Sequence, residues 1–372
     1  MPADELNRPL GLGSPTRQPR RKAALLSAAG VAAVVILAGG AVAWYALPFG
    51  GPTATAVIDG PRPEIDPART GAILPPGGLT EVAPSGGLSD MGNGGGVVIH
   101  GLPNAPMQLA SLPETGLVED SDEGPLPRIA ADGTRPLDAY ARPNSADPRD
   151  TRVAIVIGGI GIDDAGTANA IQRLPGQVTL AFAPYGDDLT GALAAARQSG
   201  HEILLQVPLE PFNYPKTDPG PNTLTLNADD AENISRLHWF MGRLTNYVGV
   251  VNYMGARFTS EVDAVEPVIQ EIGNRGLLYL DDGSSARSRT AEAAAGVTPY
   301  LRADLVLDAD LSGPAIDAKL RQLQAIARQR GYAIATGTAF PETIDRVTEF
   351  VDAAASAGIS IVPLSALTAG PS

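Results

Sequence analysis

From Asp150 to the end, the chain repeats one pattern: a short apolar run, a turn rich in Gly or Asp, then a stretch of helical periodicity. The runs are Val153–Ile157, Val178–Ala183, Glu202–Val207, Val248–Asn252, Leu277–Asp281, Leu305–Asp308, Tyr332–Thr336 and Ile359–Pro363. They are continuously apolar rather than alternating, so both faces of each strand must be covered, which a parallel sheet wrapped by helices achieves. Helices are expected up to Leu174, up to about Gly200, and after Asn227 with Asp229 and Asp230 in the first turn. Further ones are expected over Glu261–Arg275, Ser312–Arg330 and Pro341–Ala357. A closed barrel and an open doubly wound sheet both satisfy the pattern, and seven or eight units favour the barrel.

The residues before Asp150 cannot extend that core. Residues 48–149 hold 16 Pro and 16 Gly with no sustained periodicity, and are expected to form an acidic flexible linker. Val97–His100 is a short apolar island inside it. Residues 23–47 run without a charge; as a helix they would span ~37 Å, enough for a bilayer's hydrocarbon layer. Arg8, Arg17, Arg20, Arg21 and Lys22 precede this span, and Trp44 and Tyr45 close it. The reading is a single-pass signal anchor: a basic cytoplasmic tail over 1–22, a membrane helix over 23–47, and a barrel domain over 150–372 outside. Cleavage after Ala43, at the small-x-small sequence Ala41-Val42-Ala43, is the competing reading.

Composition narrows the chemistry. The chain has no Cys, excluding disulfides, thiolate metal sites and Cys nucleophiles, and only three His, at 100, 201 and 238. A net charge of −14 leaves no broad cationic footprint for nucleic acid. In a βα barrel the chemistry lies at the C-terminal strand ends. Those positions hold Gly158, Gly159, Tyr185, Gln206 with Glu210, Asn252, Tyr253, Asp281, Asp282, Asp308, Thr336, Thr338 and Ser365. Gly158-Gly159-Ile160-Gly161 lacks dinucleotide-binding spacing and reads as a tight turn. Asp163-Asp164 and Asp187-Asp188 read as helix caps, and His201 and His238 as structural or surface imidazoles. Asp281 and Asp282 point to opposite sides, so one should face the mouth. With Glu210 and Asn252 it could bind sugar hydroxyls or share acid/base work, and the alternative is hydrogen bonding to loop backbone. Phe212 and Tyr214, in the loop 211–227, could stack on a sugar ring.

The ordered blocks VAIVIGGIG, GHEILLQVPLEP, GVVNYMGARF, LLYLDDGSS, LRADLVLDAD and AIATGTAFPET resemble the divergent polysaccharide deacetylase family. The resemblance implies an exported bacterial protein with a deformed (β/α)7-8 barrel. In this setting the anchor lies in the inner membrane and the barrel in the periplasm. It also implies deacetylation of envelope sugars by a divalent metal on an Asp-His-His set. Here Gly158 and Gly159 stand where the family has an Asp pair, and Gln206, Tyr253 and Thr338 where it has His. Asn252, Met254-Gly255, Asp281 and Asp308 keep the pattern. The expectation is therefore a protein that uses no cofactor and binds envelope glycan or peptidoglycan, with Asp281 and Glu210 as candidate catalytic groups. Asn252, Asp282, Gln206, Tyr253 and Tyr214 are the substrate-binding candidates. A hydrolase using carboxylates or an atypical zinc site, and a non-catalytic envelope scaffold, are the alternatives.

Overall fold

The computed structural model describes residues 107–114 and 116–368. The expected tail over 1–22, membrane helix over 23–47 and apolar island Val97–His100 lie outside them. Among the described residues, no helix is long and apolar enough to cross a membrane.

A two-stranded antiparallel hairpin, β1 (Val118–Ser121) and β2 (Gly124–Pro127), and a single helical turn, α1 (Pro136–Ala139), come first. The βα series follows as β3 (Arg152–Ile160), α2 (Asp164–Arg173), β4 (Thr179–Phe182), α3 (Leu189–Gln198), β5 (Ile203–Leu209) and α4 (Asp230–Met241). It continues with β6 (Gly249–Met254), α5 (Val262–Asn274), β7 (Leu278–Asp281), α6 (Thr290–Ala294), β8 (Tyr300–Arg302) and β9 (Leu305–Val306). It ends with α7 (Gly313–Arg330), β10 (Tyr332–Thr338), α8 (Pro341–Ala354) and β11 (Ser360–Ile361). All pairings in the large sheet are parallel, in the order β8-β7-β6-β5-β4-β3-β10-β9, with β11 added beside β3.

The sheet is curled, as the deacetylase-type barrel requires. It forms a half-barrel rather than the closed barrel expected: the edge strands Tyr300–Arg302, paired with β7, and Leu305–Val306, paired with β10, follow one another in the chain but share no ladder. Side chains divide by alternation. Val153, Ile155, Ile157, Leu180, Ile203 and Leu205 face the helices, whereas the smaller Ala154, Val156 and Ala181, with Leu204, Leu280 and Ile334, fill the interior. Asp163, Asp188 and Asp229 cap α2, α3 and α4 by accepting amide N–H groups three residues on.

A second expectation needs correction: residues 107–114 and 116–149, expected within the linker over 48–149, are not part of a flexible linker. Leu117, Leu137 and Tyr140 are buried in the interior cluster, entering from the N-terminal ends of the strands. The Tyr140 hydroxyl accepts from the Glu114 amide (3.1 Å), its carbonyl accepts from Arg197 (2.7 Å), and the Leu137 amide donates to the Gly276 carbonyl (3.1 Å). This strap is the floor of the barrel. The 3₁₀ turn Leu364–Leu367 joins it, and the buried Glu202 carboxylate ties them together, accepting from the Ser365 amide and hydroxyl and the Arg142 amide. Burial pushes the Glu202 carboxyl up, and those hydrogen bonds oppose the shift. Ser365, expected at the mouth, therefore sits at the floor, because β11 pairs only with Arg152 and Val153 at the start of β3.

Candidate functional site

Continuing the inward phase of each strand past its apolar core leads directly to the site. Gly158 follows Val156, Gln206 follows Leu204, Asp282 follows Leu280, and Thr336 and Thr338 follow Ile334. These residues line a cavity of about 610 Å³ at the C-terminal mouth, with Asn252, Tyr253 and Asp308. Tyr185, Phe340 and the exposed Ile162 form apolar parts of its wall.

Gln206 lies across the floor of this cavity. Its Oε1 accepts from the Gly159 amide (2.8 Å), a contact made where Gly159 takes φ +77°. Its Nε2 has no acceptor among the described residues and is free to donate to a ligand. A Cβ on residue 158 would lie 2.6 Å from that Nε2, so Gly158 and the Gln206 rotamer depend on each other. Gly158→Ala is therefore expected to cost about 1–2 kcal/mol by dislodging Gln206 from the Gly159 amide. In a Gln206→Ala background the same change should become neutral or stabilising, because Ala restricts the unfolded chain. Thermal unfolding of the four proteins checks this sign change.

Asn252 bridges two strand ends. Its Nδ2 donates to the Met254 carbonyl (2.7 Å), and its Oδ1 accepts from the Asp282 amide (3.0 Å). Those bonds hold the turn at Met254 and Gly255, both at positive φ, from which Tyr253 projects 41% exposed. Asn252 thus positions the mouth as well as lining it.

The two adjacent carboxylates have different surroundings. Asp282 lines the cavity, with Oδ1 accepting from the Ser284 amide (2.9 Å) and hydroxyl (2.7 Å). Burial raises its carboxyl above the ordinary value, and the nearby Asp281 charge adds to the rise. Asp281 is 1% exposed and turned outward, accepting from the Gly283 amide (2.9 Å), Ser288 hydroxyl (2.5 Å) and Tyr300 hydroxyl (3.2 Å). Asp308 lines the cavity but accepts from the Thr338 amide (2.6 Å) and Thr343 hydroxyl (3.1 Å).

Two further candidates are relocated. Strand β5 ends at Leu209, and Glu210 turns beneath the loop 211–227, where its carboxylate accepts from the Leu226 amide (2.7 Å) and pairs with Arg257. Glu210 and Asp281 are thus absent from the cavity lining, and the expected catalytic pair is not assembled there. Tyr214 also stands outside that lining, to which its loop contributes Pro211 and Pro219. Sequence reasoning missed Ile162, Ser284 and Phe340, which lie in loops just beyond strand ends and carry no periodic signal.

The two histidines among the described residues, His201 and His238, are structural. His201 is fully buried at the floor, with Nδ1 2.8 Å from the Val178 carbonyl oxygen, and burial lowers its pKa. His238 Nε2 lies 2.6 Å from the Glu271 carboxylate, a contact that lowers the Glu271 pKa to about 2.

The family model for divergent polysaccharide deacetylases matches residues 155–368, which contain this entire cavity lining. The chain belongs to the divergent polysaccharide deacetylase family. An uncharacterized protein of Agrobacterium tumefaciens C58, solved by crystallography, is 49% identical, with a TM-score of 0.64 over 66% of this chain and 99% of that one. The uncharacterized YibQ protein of Escherichia coli K12 is 25% identical over 195 residues, 51% of this chain and 60% of YibQ. The catalytic domain of a peptidoglycan N-acetylglucosamine deacetylase from Eubacterium rectale aligns at 11% identity, with a TM-score of 0.40, over 62% of this chain and 95% of that one.

The divalent metal that deacetylase resemblance implies does not fit this family member's mouth. Among the described residues, no three His, Cys, Asp or Glu side chains gather where they could share a metal ion. The cavity offers two carboxamides (Gln206, Asn252), two phenols (Tyr185, Tyr253) and three hydroxyls (Ser284, Thr336, Thr338), weak ligands beside imidazole and carboxylate, and both of its aspartates already accept hydrogen bonds from the protein.

Proposed function

We propose that this protein holds a cell-envelope glycan, peptidoglycan included, at the barrel mouth, without the metal-dependent deacetylation that the family resemblance implies. The observation that carries this reading is the cavity's inventory. The free Gln206 Nε2 and Tyr253 hydroxyl, with the Asp282 carboxyl, can exchange hydrogen bonds with vicinal sugar hydroxyls, while Tyr185, Tyr253 and Phe340 offer apolar surface to a ring. Its volume of about 610 Å³ is in the range of small-ligand sites. In the same proposal, residues 23–47 anchor the chain in the bacterial inner membrane, residues 48–106 tether it, and the barrel works in the periplasm.

The test is calorimetric titration of the full chain with soluble peptidoglycan fragments and other envelope oligosaccharides. Heat of binding and a raised Tm for at least one glycan are expected. No heat and no Tm shift across the set would overturn the reading. Metal-independent acetate release, abolished by Asp282→Asn, would replace it with a hydrolase running on the cavity carboxylate, the second reading that the raised Asp282 pKa supports.

A further inference from the structure

The mouth carries a cation that the site above does not use. Of the arginines among the described residues, only Arg128, Arg287 and Arg321 have side chains without a hydrogen bond to a protein acceptor; the others are tied to carboxylates or backbone carbonyls. Arg287 alone of these three lies in a mouth loop, three residues after Ser284 in the cavity lining.

Its guanidinium sits 5.6 Å from the ring centroid of Phe212, which is 51% exposed and directly follows Pro211 of the lining. The pair thus joins the loop after β5 to the loop after β7 across the rim. At this distance the cation–π contact leaves the guanidinium N–H groups open, and they can donate two parallel hydrogen bonds to a carboxylate. Arg257, also from a mouth loop, differs in kind, because the buried Glu210 neutralises it. The chain as a whole is strongly acidic, so a solvent-facing arginine without a protein acceptor beside a ligand cavity defines a polarity: neutral and acidic groups inside, positive charge at the rim.

We infer that Phe212 and Arg287 form a rim subsite for the carboxylate of an acidic sugar residue, so that the glycan bound at this mouth is anionic. The inference rests on the glycan-binding reading above and adds the ligand's charge. A lactyl-ether carboxylate and a uronate carboxylate present the same group, and the experiment separates them.

Calorimetry of the full chain at low salt, with matched oligosaccharide pairs, tests it. One pair is a muramic-acid-containing peptidoglycan fragment and its carboxyl-methylated form; the other is an oligouronate and its methyl ester. The acidic member of at least one pair should bind about three- to tenfold more tightly than its ester, with the margin shrinking as salt rises. The pair that shows the margin identifies the source. Arg287→Gln should erase the margin while leaving the ester's affinity unchanged, and Arg321→Gln, on α7, should alter neither. Equal binding of acid and ester in both pairs, or a margin that survives Arg287→Gln, overturns the subsite but leaves the glycan reading intact. Absence of binding by all four ligands overturns both.

Discussion

Tyr140→Ala is expected to destabilise the domain by about 3–5 kcal/mol, the cost of removing a fully buried aromatic ring. The reason is architectural. Tyr140 belongs to the strap that closes the barrel floor, and its ring packs in the interior cluster with Leu117 and Leu137. Its hydroxyl and carbonyl also satisfy the Glu114 amide and the Arg197 guanidinium, both of which lose their fixed geometry when the floor loosens. In a domain of this size the loss should lower Tm by roughly 10 °C. Leu112→Ala, in the same strap but 77% exposed, should stay within about 0.5 kcal/mol of the parent. A Tyr140→Ala protein within about 1 kcal/mol of the parent would show that residues 107–149 are a linker that merely touches the barrel.

The neighbouring carboxylates should respond in opposite ways. Asp281→Ala removes the acceptor for a buried amide and two hydroxyls, and should cost about 2–4 kcal/mol. It should leave glycan affinity, measured on the remaining folded protein, within about twofold, because Asp281 faces away from the cavity. Asp282→Asn keeps the side chain's shape and relieves repulsion from Asp281, so stability should hold within about 1 kcal/mol. Glycan affinity should instead fall about tenfold, the loss of one charge-assisted hydrogen bond. Urea unfolding and calorimetry on both variants distinguish these outcomes, and a reversed pattern would mean that the two side chains have exchanged roles.

These two residues also mark how far the sequence could be read. Continuous apolar runs such as Val153–Ile157 announced buried parallel strands, but apolarity on both faces erased the phase of each strand. Asp281 and Asp282 could therefore be split between inside and outside without deciding which was which. Packing supplies the phase: Leu280 faces the interior, so Asp282 does too. The same count would have carried Glu210 inward from Gln206 and Pro208, yet the chain leaves the strand at Leu209 to meet the loop, and the carboxylate goes with it. The floor strap was illegible for another reason. Leu117, Leu126, Leu137 and Tyr140 are isolated apolar residues amid Pro and Gly, with no period of their own; each buries against a surface that other elements have already built. The floor of the cavity was legible only as chemistry. Gly158 and Gln206 could be named as substitutions, whereas their steric dependence on one another exists only in three dimensions.

Glycan binding at the mouth through the protein's own side chains should need no metal. Its most direct test is one titration of the full chain with soluble peptidoglycan fragments, run after chelator treatment and repeated with zinc restored. The same dissociation constant is expected in both runs, with no acetate released in either. Binding or acetate release that appears only when zinc is present would contradict it.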